Sequence, residues 1–164
     1  MSITATYSSR LSVIETIEGP FVSPTDPGFT TDQLSLTESK DADTTVPVTK
    51  HVGSNFTLSS GTATINLAAV VTPASGTVDM TGLKLQYMKL RGHPDNANVI
   101  TAAKGASNGY GLGPTGATWT FPLGPDQEIT LRGDDGNPDV ASGARTIDIT
   151  GTGAQVLQVQ MVFG

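Results

Sequence analysis

Cysteine is absent from the 164 residues, which excludes disulfides, thiolate nucleophiles and zinc–thiolate sites and leaves stability to packing or association. Charge is scarce as well: Asp, Glu, Lys and Arg together make up 15% of the chain, against about a quarter in an ordinary soluble domain. The charge that is present sums to −6 with a pI near 4.6, which argues against a diffuse electrostatic footprint on nucleic acid. No stretch supplies three helical turns free of Gly, Pro or Thr clusters, so long helices are excluded and Leu67 to Val71 could form at most a turn. No apolar run approaches the length of a membrane span. The start, Met1-Ser-Ile-Thr-Ala-Thr-Tyr7, lacks a basic region followed by an apolar segment, so no secretory signal is expected and folding in a cytoplasm is the default.

What the chain does have is Gly, Pro, Ser and Thr between short alternating segments, with 19 Gly and 10 Pro. One domain, with or without an arm, fits this length. Ile3 to Ile17 alternates loosely and reads as one or two strands. Residues 18–32 carry prolines and glycines that forbid a regular element, so they form a loop or a boundary, with residues 1–17 as a candidate N-terminal arm. Residues 33–164 form the main domain. Strands are expected at Leu34 to Leu36, at Val46 to Val52 with Pro47 marking an edge or a start, and on either side of Ser59-Ser-Gly61 as a hairpin. Leu83 to Arg91 places Leu83, Leu85 and Tyr87 on one face and then shifts phase through Met88 to Leu90, as a bulged or doubly buried strand would. Further strands fall at Asn98 to Ala102, Ala117 to Phe121, Glu128 to Leu131 and Arg145 to Thr150. The last stretch, Val156 to Phe163, alternates almost to its end, with a phase slip expected at Leu157 and a hairpin to Arg145–Thr150 across Gly151-Thr-Gly153. Many short strands at this spacing predict an all-β fold, an antiparallel sandwich or barrel of jelly-roll type, with long Gly/Pro-rich loops.

Candidate chemistry is thin. Gly105-Ala-Ser-Asn-Gly109 has the spacing of a nucleophile elbow around Ser107, yet Tyr110-Gly-Leu-Gly-Pro114 cannot provide the helix that must follow. His51 and His93, the only possible histidine bases, sit near turns or strand ends, so no catalytic residue is assigned. Asp134, Asp135, Asn137 and Asp139 gather oxygen ligands of the kind calcium prefers on one turn, but lack the EF-hand spacing, and tight turns select the same residues for backbone reasons. No cofactor is expected. Trp119, Tyr110 and Tyr87 could form an aromatic platform for sugar, although alternation in Thr118-Trp-Thr-Phe121 puts Trp119 and Phe121 on one face and favours a core role. Lys84, Lys89 and Arg91 are the densest basic cluster and read as a solvated face or salt-bridge partners.

A resemblance adds to this reading. Val78-Asp-Met-Thr-Gly-Leu-Lys-Leu-Gln-Tyr-Met-Lys-Leu-Arg91, the short strand and glycine loop at Val99 to Gly113, Phe121-Pro-Leu-Gly-Pro125 and the run from Ile147 to Gly164 together resemble small structural proteins from the head-gene clusters of tailed bacteriophages. The resemblance spans roughly residues 65–164, as a pattern without an active-site motif. It implies a virion component on the capsid surface, a decoration or cement protein made in the host cytoplasm, with the major capsid protein as partner and a homotrimer as its assembly. A receptor-binding or fibre-tip module that binds carbohydrate is the alternative. Neither nucleic acid nor membrane is an expected partner, and no enzymatic activity is expected.

Overall fold

The structure, a computed structural model, describes residues 5–11, 14–15, 29–30, 34–40, 45, 47–72, 76–133 and 135–164. The described strands are β1 (Ala5–Leu11), β2 (Ile14–Glu15), β3 (Phe29–Thr30), β4 (Leu34–Lys40), β5 (Lys50–Thr57), β6 (Thr62–Asn66) and β7 (Val70–Thr72). They continue with β8 (Gly76–Val78), β9 (Leu85–Gly92), β10 (Ile100–Lys104), β11 (Thr120–Leu123), β12 (Glu128–Arg132), β13 (Thr146–Thr150) and β14 (Val156–Phe163). There is no helix among the described residues.

Eight of these strands form two antiparallel four-stranded sheets, ordered β12-β9-β14-β5 and β11-β10-β13-β6. Their pairing follows one rule. Counted along the chain, the first of the eight pairs with the last (β5 with β14), the second with the seventh (β6 with β13), the third with the sixth (β9 with β12) and the fourth with the fifth (β10 with β11). The long ribbon so formed is rolled until β14 also meets β9 and β13 also meets β10. This is the jelly-roll arrangement, which the composition of short strands and turn residues predicted.

Alternation decides what each sheet buries. Leu157, Val159, Met161 and Phe163 of β14 meet Met88 and Leu90 of β9 and Val52 of β5 on the inner face, and from the other sheet Ile65, Ile100, Ala102, Ile147 and Ile149 join the same core. Phe163 is fully buried, and truncating it to Ala is expected to cost about 3–5 kcal/mol.

Several details differ from the sequence reading. The turn Gly151-Thr-Gly153 does reverse the chain, but β13 and β14 lie in opposite sheets, so the connection is an arch and not a hairpin. Ser60 (φ +52°) and Gly61 (φ +84°) make a tight turn of the kind expected, closed by paired bonds between Ser59 and Thr62, yet β5 and β6 likewise separate into different sheets. No slip occurs at Leu157, because Val156 and Val162 simply lie on the outer face. The irregularity sits on β9: Val162 pairs with Tyr87 and Phe163 with Leu85, leaving Gln86 as the extra residue of a bulge. Leu85 therefore faces the core while Tyr87 faces outward, so the two do not share a face.

The N-terminal region forms two-stranded pieces of its own. β1 pairs with β4 over their full lengths, from Ala5↔Lys40 to Leu11↔Leu34, and β2 pairs with β3. Residues 18–28 and 31–32 of the predicted loop lie outside the described residues, while Phe29 and Thr30 within it are strand.

Candidate functional site

Loops at both ends of the sandwich are held by buried amides and one phenol. At the end where β14 begins, the Asn96 side chain reproduces a strand partner: its Oδ1 accepts from the Val156 N–H and its Nδ2 donates to the Val156 carbonyl, both at 2.8 Å. Gln155 ties Thr152 and Asn98 together from the same end. At the opposite end, Asn137 Oδ1 accepts from the Gly113 N–H at 2.7 Å and its Nδ2 donates to the Leu85 carbonyl at 2.6 Å. Nothing in the sequence marked these amides as buried, since Asn and Gln near turns are ordinarily solvated.

The glycine-rich loop is folded onto the core. Tyr110 has no exposed surface, and its hydroxyl accepts from the Leu85 N–H (3.1 Å) and donates to the Pro138 carbonyl (2.6 Å). Burial pushes the phenol up to about 12. The indole Nε1–H of Trp119 donates to the Tyr110 carbonyl at 2.8 Å, and the Trp119 ring stacks on Phe121 with centroids 5.1 Å apart. Trp119 and Tyr110 are thus core residues, and Tyr87 lies on the outer face of the other sheet. The three form no platform. A Cβ on Gly111 would stand 1.9 Å from the Gly116 carbonyl oxygen, so the loop closes only with glycine there.

The remaining sequence candidates are dispersed. Ser107 is exposed, its carbonyl accepting from the Thr146 hydroxyl, with no helix after it. His51 is on β5 and His93 follows β9, both belonging to the other sheet. Asp134 lies outside the described residues. Asp135 pairs with Lys84 at 2.7 Å, a hydrogen bond that raises the lysine above its ordinary pKa, and both ends of the Asn137 amide are occupied as above. Asp139 lies beside Lys84 in an isolated antiparallel bridge. Among the described residues no three His, Asp or Glu side chains gather where a metal ion could sit.

What the fold does assemble is a polar outer face on the β12-β9-β14-β5 sheet. Register sets its rows: Glu128, Arg91, Gln158 and Asn55 form one, and Thr130, Lys89, Gln160 and Gly53 the next. Lys89 bonds Glu128 at 2.8 Å and Arg91 pairs with Asp126, so both cations are ion-paired, as their spacing suggested. Because Gly53 has no side chain, the second row is open at β5. There a groove of about 400 Å³ lies between Asn55, Lys89, Arg91, Gln158 and Gln160. A second, more apolar groove of about 300 Å³ is lined by Met88, Leu112, Pro114, Leu131 and Asn137. The residues of the first groove donate and accept hydrogen bonds but include no nucleophile paired with a base. The signal that could have found it is a glycine interrupting the alternation of β5 opposite the glutamines of β14.

A comparison with protein-family models, with characterised proteins and with solved structures finds no match to this chain.

Proposed function

We propose that the chain is a virion structural protein, a decoration protein that cements a tailed-bacteriophage capsid by binding across subunits of the major capsid protein. The observation that carries this reading is the N-terminal ribbon. β1 and β4 pair with each other, and among the described residues neither packs broadly on any strand of the sandwich. An isolated two-stranded ribbon is marginal in water at best. The ribbon therefore gains most from a surface outside its own sandwich, and a lattice of coat subunits offers such a surface. A ligand that binds only the assembled shell adds its binding free energy to that state alone, which is how cementing works without catalysis.

The pattern resemblance over roughly residues 65–164 supports the same reading. The buried Trp119 weighs against the glycan-binding alternative in the form that used an aromatic platform. The test is to add the protein to capsids lacking it and measure the temperature at which they release their contents. A rise with the full chain that disappears on deleting residues 1–40, while the remaining sandwich keeps its own melting transition, supports the proposal. Equal protection by the truncated chain rejects the ribbon's role, and no binding by the full chain rejects the function.

A further inference from the structure

We propose that β5 is a self-association edge, through which two copies of this chain join their β12-β9-β14-β5 sheets across a two-fold axis. The argument stands independently of the capsid reading.

It begins with hydrogen-bond parity. The Leu58 N–H donates to the Gln155 carbonyl at 2.8 Å, so in the β5–β14 ladder Phe56, Ser54 and Val52 turn their backbone groups to β14. The bond from the His93 N–H to the Val156 carbonyl sets the complementary parity on the β9 side of β14. His51, Gly53, Asn55 and Thr57 consequently point their N–H and C=O groups away from the sheet. Among the described residues these groups have no protein partner, and β7, which packs beside β5, joins only β8. Native edges are ordinarily blunted by proline, charge or bulges. The edge strand β11 carries Pro122, and β12 carries Glu128 and Arg132. On β6, the turns at Ser59–Thr62 and Asn66–Ala69 occupy the outer groups at both ends. Between His51 and Thr57, β5 has neither proline, acid, lysine nor arginine, and its register with β14 is unbroken.

The glycine supplies the second observation. Gly53 has an ordinary extended φ, and a Cβ built on it would meet nothing within 4 Å. Neither strain nor crowding within one copy calls for glycine, which costs about 0.5–1 kcal/mol in a strand interior relative to Ala. A strand glycine often marks a bulge, a tight bend, or the close approach of another backbone or a ligand, and the unbroken register through Gly53 shows no bulge there.

A second copy fits because the open groups are self-complementary. An antiparallel β5 pair centred on Ser54 places Gly53 of each copy opposite Asn55 of the other, and His51 opposite Thr57. Every outward N–H and C=O from His51 to Thr57 then finds a partner, two bonds per pair. Paired residues share a face, so the Asn55 side chain of one copy lies against the gap left by Gly53 in the other, at the rim of the groove.

The absence of cysteine makes the test direct. Ser54→Cys puts the only thiols of the assembly at a non-hydrogen-bonded pair about 4.5 Å apart at Cα, within the roughly 4.4–6.8 Å span of a disulfide. The wild-type chain is expected to sediment at twice its 16.9 kDa mass. Ser54→Cys is expected to cross-link under mild oxidation and a control Thr130→Cys on β12 is not. Gly53→Lys, whose side chain a single copy has room for, is expected to keep the circular dichroism of the fold while weakening self-association at least tenfold. A monomer at high micromolar concentration, a three-subunit mass, or cross-linking as strong through Thr130→Cys as through Ser54→Cys would overturn the proposal. If Gly53→Lys fails to fold, the two cysteine variants still decide it.

Discussion

Replacing Tyr110 by Phe removes one oxygen and leaves the shape of the side chain intact, so it isolates the hydroxyl that joins three separate stretches of chain. That hydroxyl satisfies the Leu85 N–H at the bulged start of β9 and the Pro138 carbonyl in the turn before β13. With the phenol fully buried, water cannot replace it without opening the loop. Each orphaned group costs roughly 1–3 kcal/mol, and partial relaxation of the turn offsets some of that, so Tyr110→Phe is expected to destabilise by about 2–4 kcal/mol at neutral pH. The pH dependence carries a second signature. The anion is the charged form, burial disfavours it, and the folded-state value is pushed up to about 12, against about 10 in an unfolded chain. The folded state thus holds this proton more tightly. The resulting stability is intact below about pH 10 and falls by roughly 1.4 kcal/mol per pH unit as pH rises towards 12, a loss of about 2–3 kcal/mol in all. Urea unfolding of both proteins at a series of pH values measures the two effects together. The variant is expected to be weaker at pH 7 and to lack this residue's share of the alkaline decline. A cost under about 0.5 kcal/mol at pH 7, within the range of an ordinary surface change, or the same alkaline slope in both proteins, would refute the reasoning.

Other substitutions test neighbouring arguments. Asn96→Ala removes both bonds to Val156 and is expected to cost about 1–3 kcal/mol by chemical denaturation; a cost near zero would mean the β14 start is held by something else. Two glycines are expected to behave oppositely: Gly111→Ala collides with the Gly116 carbonyl and should lose at least about 2 kcal/mol, whereas Gly53→Ala, tested at a concentration where the chain is monomeric, should gain about 0.5 kcal/mol. Similar effects at both positions would contradict the packing described. Millimolar calcium is expected to leave the melting temperature unchanged, since Asp135 pairs with Lys84 and Asn137 has spent its amide on backbone; a clear rise would restore the 134–139 turn as a cation site.

Much of the fold was legible because alternation reports burial on a pleated strand. Thr118-Trp-Thr-Phe121 announced that Trp119 and Phe121 share a face, and their rings stack. The phase shift around Met88 allowed either a bulge or burial on both faces, and the structure has the bulge, at Gln86. What could not be read was partnership. Gly151-Thr-Gly153 and Ser60-Gly61 say that the chain reverses, but a hairpin and an arch use the same turn residues, and only the distant partners of each strand decide between them. The polar groove was hard to read for a related reason: Gly53 interrupts the alternation of β5, but Lys89 and Gln160 lie far from it in the chain and meet it only through the register.

The central position of β14 bears on how the chain is made. Thr57 pairs with Val156 and Lys50 with Phe163, so β5 waits for nearly a hundred intervening residues before its own sheet can exist. Until β14 slots between them, β5 and β9 each present a raw edge to the cell, and closing such distant pairings is slow, on the order of milliseconds to seconds. A polypeptide interrupted before residue 156 lacks the middle of its sheet instead of a dispensable tail. Such a truncated copy keeps the unpaired edges of β5 and β9, the kind of edge that templates aggregation.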